Sequence, residues 1–230
     1  MFLLDSSKKK TTIKRISTRG SKMDREILEE KVYYYTNVIK DPKKLVDAID
    51  QDNNNPWGEW MACSGEAYVY GTDKSIFADP SDIQKTYIYS TLQKAFDDVA
   101  RDYAAAHGIT EEPKLFPMYP IKKYKAGTYM GAHFDQQEGD DRLKVSFVMY
   151  LNDDYEGGEL SFTIASPGGI LQNASPEPDF ADAEKSGNYT FAIKPKAGSI
   201  IVFPPSPPYH HTAHLVKSGE KIMVPQHWIH

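Results

Sequence analysis

Three side chains stand out for the chemistry that their types and spacing allow. His133 and Asp135 flank Phe134, and His211 lies far downstream. Successive side chains of a strand point to opposite faces, so residues two apart share one. If residues 133–135 are extended, an imidazole and a carboxylate leave one strand together. A second imidazole from a distant strand completes two nitrogens and one oxygen. That set caps one face of an octahedral divalent cation and leaves three positions open. His210 and His214 compete with His211 for the third place. The plainer alternative is a histidine hydrogen-bonded to a nearby carboxylate.

Separate elements must deliver these groups. Residues 129–135 read as a strand, whose end lets a ligand face a barrel mouth with ordered backbone behind it. Residues 198–203 have the apolar pattern of a buried strand, residues 204–209 read as a loop, and the late histidines follow. Residues 221–228 read as the last strand. His211 thus stands ten residues before Lys221. An ammonium pointing into a barrel needs a partner; on an exposed strand edge it needs none. Lys221 admits both readings.

Further strands are expected over residues 116–125, 144–151, 159–165 and 189–193, separated by Gly, Pro and Asp turn signals. Many short strands punctuated in this way suggest a sandwich or jelly roll. Ahead of them, residues 32–37 read as a strand and residues 67–70 as a short one. Asp41-Pro42 starts a short helix that runs to about residue 50. A longer helix spans residues 81–107, with Ile83, Tyr87, Leu92, Phe96, Val99 and Tyr103 on one face and Gly108 closing it. Residues 171–188 are polar and acidic, too long for an ordinary connection, and read as a mobile flap or a plain insertion.

The 230 residues fit one domain with an extension. Residues 1–22 carry seven Lys and Arg against one Asp, a balance of +6, and are expected to be disordered. A basic arm, a targeting signal, or translation starting at Met23 are alternatives. Residues 23–114 then form a strand-and-helix support, and residues 115–230 a jelly-roll core. The whole chain has a net charge of -5, which leaves -11 on residues 23–230 and argues against a nucleic-acid partner. A single cysteine, Cys63, excludes an internal disulfide and a Cys-rich zinc site. It suggests a reducing compartment, the cytoplasm. No stretch has the 18 or more apolar residues of a membrane span, and the apolar start is too short for a signal peptide.

Several motifs occur in a telling order: Tyr124, Gly127 and His133-Phe134-Asp135; Tyr150-Leu151-Asn152, then Gly157-Gly158-Glu159-Leu160; His211, then Ser218-Gly219-Glu220-Lys221. Each is weak alone, but the ordered combination is specific. Over roughly residues 115–228 it resembles the Fe(II)- and 2-oxoglutarate-dependent dioxygenases, in their prolyl 4-hydroxylase-like branch. Two departures are visible. Trp228 comes one residue later than the branch's closing aromatic, and Pro225 intervenes, so a bulge is expected there. The loop before His211 holds Pro204, Pro205, Pro207 and Pro208. Retention of Asp135 argues against the halogenating relatives, which need an open site in its place.

The resemblance implies a double-stranded β-helix, a cupin-like jelly roll that is mainly β with supporting helices. It implies Fe(II) on His133, Asp135 and His211, because the spacing to Gly219 and Lys221 suits His211 better than His214. The keto-acid end of 2-oxoglutarate and O2 would take the open positions. Lys221 would pair with the far carboxylate, and Tyr124 and Tyr150 would donate hydrogen bonds to the cosubstrate, although core packing would equally account for either tyrosine. The implied reaction converts the keto acid to succinate and carbon dioxide while hydroxylating an unactivated C–H bond, with ascorbate as reductant. A peptide or protein proline is the leading substrate, and a free amino acid or small metabolite the next. No membrane partner is implied, and the arginine-rich closing motif of the nucleic-acid demethylating branch is absent. Two other classes stay open: a carbohydrate-binding jelly roll using Trp57, Trp60 or Trp228 as a platform, and a zinc hydrolase on the same triad. His107, His227 and His230 need no special role on this reading.

Overall fold

The strands, several of them rich in aromatic and β-branched residues such as Val32–Thr36 and Ser199–Phe203, build two facing antiparallel sheets. The computed structural model describes residues 14–16, 23–53, 55–64, 67–78, 81–136, 141–164, 178–187 and 189–230. The larger sheet has nine strands. Their order is β1 (Lys14–Ile16), β2 (Asp24–Glu29), β3 (Val32–Thr36), β12 (Ser199–Phe203), β8 (Leu143–Tyr150), β15 (Glu220–Ile229), β6 (Met118–Lys125), β5 (Ala67–Phe77) and β4 (Gly58–Ser64). The smaller sheet runs β11 (Phe191–Ile193), β10 (Leu160–Ile164), β13 (Tyr209–Ala213) and β7 (Met130–His133). A short pair, β9 (Glu156–Gly157) and β14 (Val216–Ser218), closes one end. From β6 onward the chain passes repeatedly between the two sheets, although β10 and β11 are neighbours in the smaller one. This is the double-stranded β-helix, and it places the site between the sheets.

The period-two alternation of β15 separates two cores. Ile222, Val224 and Trp228 join the core beneath the helices, whereas Met223 joins the core between the sheets. The helical layer comprises α1 (Pro42–Gln51) and α2 (Ile83–Ala106). Asp41 caps α1 by accepting from Lys44 N at 3.0 Å. At its other end, Lys74 Nζ donates to Ile49 O and Asp52 O at 2.7 and 3.0 Å. Along α2, Leu92, Phe96, Val99 and Tyr103 are buried. Phe96 stacks on Tyr119 with centroids 5.6 Å apart and meets Phe147 edge-on. Burial of side chains of this size contributes about 1.5–3 kcal/mol each. Asp102 pins α2 to the sheet: Arg25 Nη1 and Tyr35 Oη donate to its Oδ2 at 2.7 and 2.9 Å. No helix among the described residues is long and apolar enough to cross a membrane.

Several expectations need correction. Lys14–Ile16 is an edge strand on β2 rather than part of a disordered arm; the rest of residues 1–22 lies outside the described residues. Ile83, expected on the buried face of α2, is 88% exposed in its first turn. The strand expected over residues 129–135 stops at His133, and Asp135 lies in the following bend. Tyr209, expected in the loop, opens β13, which carries His210 and His211. Within residues 171–188, Phe180–Ser186 forms a short helix, α3, with Asp179 accepting from Ala181 N at 3.0 Å; residues 171–177 and 188 lie outside the described ones. Residues 23–114, expected as a strand-and-helix support, supply β2–β3 and β4–β5 at the two edges of the larger sheet as well as α1 and α2.

The expected bulge at Pro225 is absent. Pro225 pairs with Val148, and the register shifts instead between Trp228 and Ile229. β15 pairs with β6 only from Glu220 to Met223, so the missing N–H of Pro225 falls where no β6 partner waits for it. Gln226 fills that gap with its side chain, donating Nε2 to Phe116 O and Met118 O at 3.2 and 3.1 Å.

Candidate active site

His211 and His133 are registered partners across β13 and β7. Asp135 turns back from the bend beyond β7, and its Oδ1 stands 3.7 Å from His133 Nε2 and 3.6 Å from His211 Nε2. One ligand atom from each of the three lies within 4.8 Å of the others. Phe203 and Phe162 hold the His211 ring, at centroid distances of 4.7 and 5.6 Å. Each imidazole sets its Nδ1 on a backbone carbonyl two residues back: His133 on Gly131 O at 2.7 Å, His211 on Tyr209 O at 3.3 Å. A carbonyl only accepts, so Nδ1 carries the proton and the Nε2 lone pair faces the centre.

The charges suit a cation. Burial, joined by the neighbouring His133, pushes the His211 imidazole down to about 4 against the opposing pull of Asp135. Burial alone would raise the Asp135 carboxyl; the His227 contact and the charges of His211, His227 and His133 outweigh it and hold the group well below the usual carboxylate range. A neutral imidazole and an ionised carboxylate are the forms that bind metal.

The other late histidines face elsewhere. His210 points away and meets Phe134 edge-on at 4.9 Å. His214 is fully buried with its Nε2 2.7 Å from Ser161 Oγ and its Nδ1 3.3 Å from Pro178 O. Only His211 of the three meets His133 and Asp135.

Lys221 is fully buried inside the same barrel. Its Nζ donates to Gly158 O at 2.9 Å and stands 5.7 and 5.3 Å from the ring centroids of Tyr124 and Tyr150. Among the described residues it forms no ion pair with a carboxylate. Burial first, then the charge of Lys194, lowers its pKa to about 7, with Glu159 opposing. Gly158, at φ +66°, makes room for it: a Cβ there would come within 2.8 Å of the Tyr155 ring and 3.2 Å of Lys221 Cδ. A desolvated ammonium held by one neutral carbonyl is a ready receptor for an anion. Burial raises the phenols of Tyr124 and Tyr150, so both stay protonated and can donate; for Tyr124 the nearby Asp135 charge adds to the shift. Among the described residues the Tyr124 hydroxyl donates to Met130 Sδ, a weak acceptor, at 3.7 Å.

A cross-strand row supports this end of the site. Trp60, Gly71, Tyr124 and Lys221 lie side by side in register across β4, β5, β6 and β15. Trp60 stacks on Tyr124 at 5.7 Å over Gly71. A Cβ at Gly71 would collide with Lys123 O and touch the Trp60 ring. Of the other tryptophans singled out by the carbohydrate reading, one is inside the core and one is engaged by lysines. Trp228 is fully buried, and Trp57 lies against Lys123 and Lys74 with its Nε1 on Asp50.

One neighbour of the site escaped the sequence reading. His227 Nε2 stands 3.5 Å from Asp135 Oδ2. Counting by twos along the last strand from Lys221 through Met223 reaches His227, and that period was the available signal.

Comparison with known proteins agrees with this geometry. Residues 119–230 match the family model described as 2OG-Fe(II) oxygenase superfamily. No curated protein matches the chain by sequence. Among solved structures, a prolyl-4-hydroxylase from Pseudomonas putida is similar at a TM-score of 0.57 and 15% identity, covering 86% of this chain and 92% of that one. A Trichoplax adhaerens prolyl hydroxylase, solved with a hypoxia inducible factor oxygen degradation domain peptide fragment, gives 0.54 and 12%, covering 86% and 83%. The viral collagen prolyl hydroxylase of Paramecium Bursaria Chlorella virus-1, solved with 2OG, gives 0.51 and 19%, covering 87% and 96%. At these identities the likeness concerns the fold; residues 119–230, which carry the motifs and match the family model, are what tie the chain to the 2OG-Fe(II) oxygenase superfamily.

Proposed function

We propose that this chain is an Fe(II)- and 2-oxoglutarate-dependent dioxygenase that hydroxylates prolyl groups of a peptide or protein. The observation that supports it most strongly is the convergence of His133, Asp135 and His211 in the same barrel as the fully buried Lys221, which has no carboxylate partner among the described residues.

In this reading His133 Nε2, His211 Nε2 and Asp135 Oδ1 hold Fe(II). Fe(II) held there with 2-oxoglutarate and O2 would supply the oxidative chemistry that hydroxylates an unactivated C–H bond and yields succinate and carbon dioxide. Everything else falls to the chain. Lys221 exchanges its Gly158 carbonyl for the distal carboxylate of the cosubstrate and remains protonated through that contact. Tyr124 and Tyr150 donate to the cosubstrate's oxygens. Phe162, Phe203, Ile201, Leu160 and Met223 line the inner core and exclude water from the reacting groups. No separate acid or base is required. Ascorbate is the expected reductant for keeping the metal ferrous.

A panel of prolyl peptides, free amino acids and small metabolites tests the reading. Each is incubated with Fe(II), 2-oxoglutarate and air and followed by mass spectrometry. A prolyl peptide should gain one oxygen atom with matching succinate. A gain confined to free amino acids or metabolites would overturn the prolyl assignment and leave the oxygenase. Absence of any succinate in the presence of every candidate would count against both.

A further inference from the structure

His227 approaches the site's carboxylate from the side that the two imidazoles leave free. His133 and His211 face Oδ1 of Asp135 at 3.7 and 3.6 Å, while His227 Nε2 faces Oδ2 at 3.5 Å. Among the described residues, these three histidines are the ion-pair partners of Asp135.

The imidazole of His227 is itself held in place. Its backbone N donates to Gln226 Oε1 at 2.8 Å, and that nearly fully buried amide is anchored on Phe116 O and Met118 O. Phe116 N donates to His227 O at 3.3 Å, and the Phe116 ring stands perpendicular to the imidazole at 6.1 Å. The segment before β6 and the end of β15 therefore fix the ring together.

We infer that His227 is a positioning residue of the metal centre, presenting Nε2–H to Oδ2 of Asp135 so that Oδ1 alone faces the cation. The inference rests on the ligand set proposed above. Its tautomer is the reverse of His133 and His211, which keep the proton on Nδ1. The 3.5 Å separation exceeds a formed hydrogen bond; a small turn of the carboxyl group closes it. A carboxylate held in this way stays monodentate. Free to rotate, it would take a second coordination position and leave fewer for exogenous ligands.

The test is anaerobic titration with Co(II), a spectroscopic probe of the site, in the wild-type chain, His227→Gln, His227→Met and Asp135→Ala. Gln keeps an N–H donor; Met fills similar space without one. Loss of an outer-shell partner costs about 10–100-fold in metal affinity. His227→Met should weaken Co(II) binding by that factor and shift its visible ligand-field bands, and His227→Gln should restore most of the affinity and the original bands. Equal losses in both variants would overturn the inference and point to packing. Wild-type binding by His227→Met, with Asp135→Ala impaired, would remove the role of His227 and leave the ligand set. Wild-type binding by Asp135→Ala would remove both.

Discussion

His133 and His211 face each other as registered partners of β7 and β13, with ring centroids 4.2 Å apart. Their register brings two imidazoles to one side of the barrel, and the bend beyond β7 brings Asp135 to them. Strand pairing thus places two of the three candidate ligands, which suits a centre whose geometry must be fixed before ligands arrive.

Removing one ligand should silence the chemistry without unfolding the chain. In His133→Ala, Fe(II)-dependent succinate formation should fall to background. His133 is only partly buried and sits at the end of its strand, so thermal unfolding should stay near the wild-type midpoint. Retained turnover in this variant, measured as succinate by mass spectrometry, would contradict its place in the metal centre.

Lys221→Ala addresses the cosubstrate end. Breaking a buried charge pair costs about 3–5 kcal/mol. At about 1.4 kcal/mol per decade, the dissociation constant for 2-oxoglutarate should rise at least about a hundredfold. Calorimetric titration of Mn(II)-loaded protein measures it. An unchanged constant would reject Lys221 as the carboxylate's partner.

The same lysine fixes a pH dependence. Its pKa is about 7 in the folded chain, against roughly 10.4 for an ordinary lysine. Between these values the unfolded chain holds a proton that the folded chain lacks. Burial of Lys221 thus penalises folding most below pH 7, and this group's contribution rises as pH increases toward about 10. Lys221→Met should remove that slope from denaturation midpoints measured across the interval. Binding of a carboxylate restores the charge, so 2-oxoglutarate should take up a proton above pH 7. Calorimetry in buffers of different ionisation enthalpy detects the uptake, and none at pH 8 would contradict the pairing.

Gly71→Ala tests the aromatic row. The new methyl meets Lys123 O and the Trp60 ring, an overpacking that costs about 1–3 kcal/mol. In a chain of this size that lowers the thermal midpoint by roughly 2–4 °C per kcal/mol. Loss of the Trp60–Tyr124 stack should also weaken 2-oxoglutarate binding. Wild-type values for both midpoint and affinity would show that the row has no supporting role.

Much of the site was legible because its motifs are short and carry their chemistry in residue type. His133, Asp135, His211, Lys221, Tyr124 and Tyr150 all line one barrel in the structure. Elements whose strand character comes from their neighbours were harder to see. β13 reads Tyr-His-His-Thr-Ala, without an apolar run, and is a strand because β10 and β7 pair with it on either side. β2 holds three acidic residues and an arginine among its six and depends likewise on β3. Ile83 fits the helical period but precedes the part of α2 that meets the sheet. His227 was discounted for its place near the end of the sequence; the alternation of β15 gives it the inward face.

The most direct test of the account is anaerobic titration of the protein with Fe(II) and 2-oxoglutarate, followed in the visible range. A saturable metal-to-ligand charge-transfer band that requires both components and is lost in Asp135→Ala is expected. No band at saturating concentrations of both, or an undiminished band in Asp135→Ala, would contradict it.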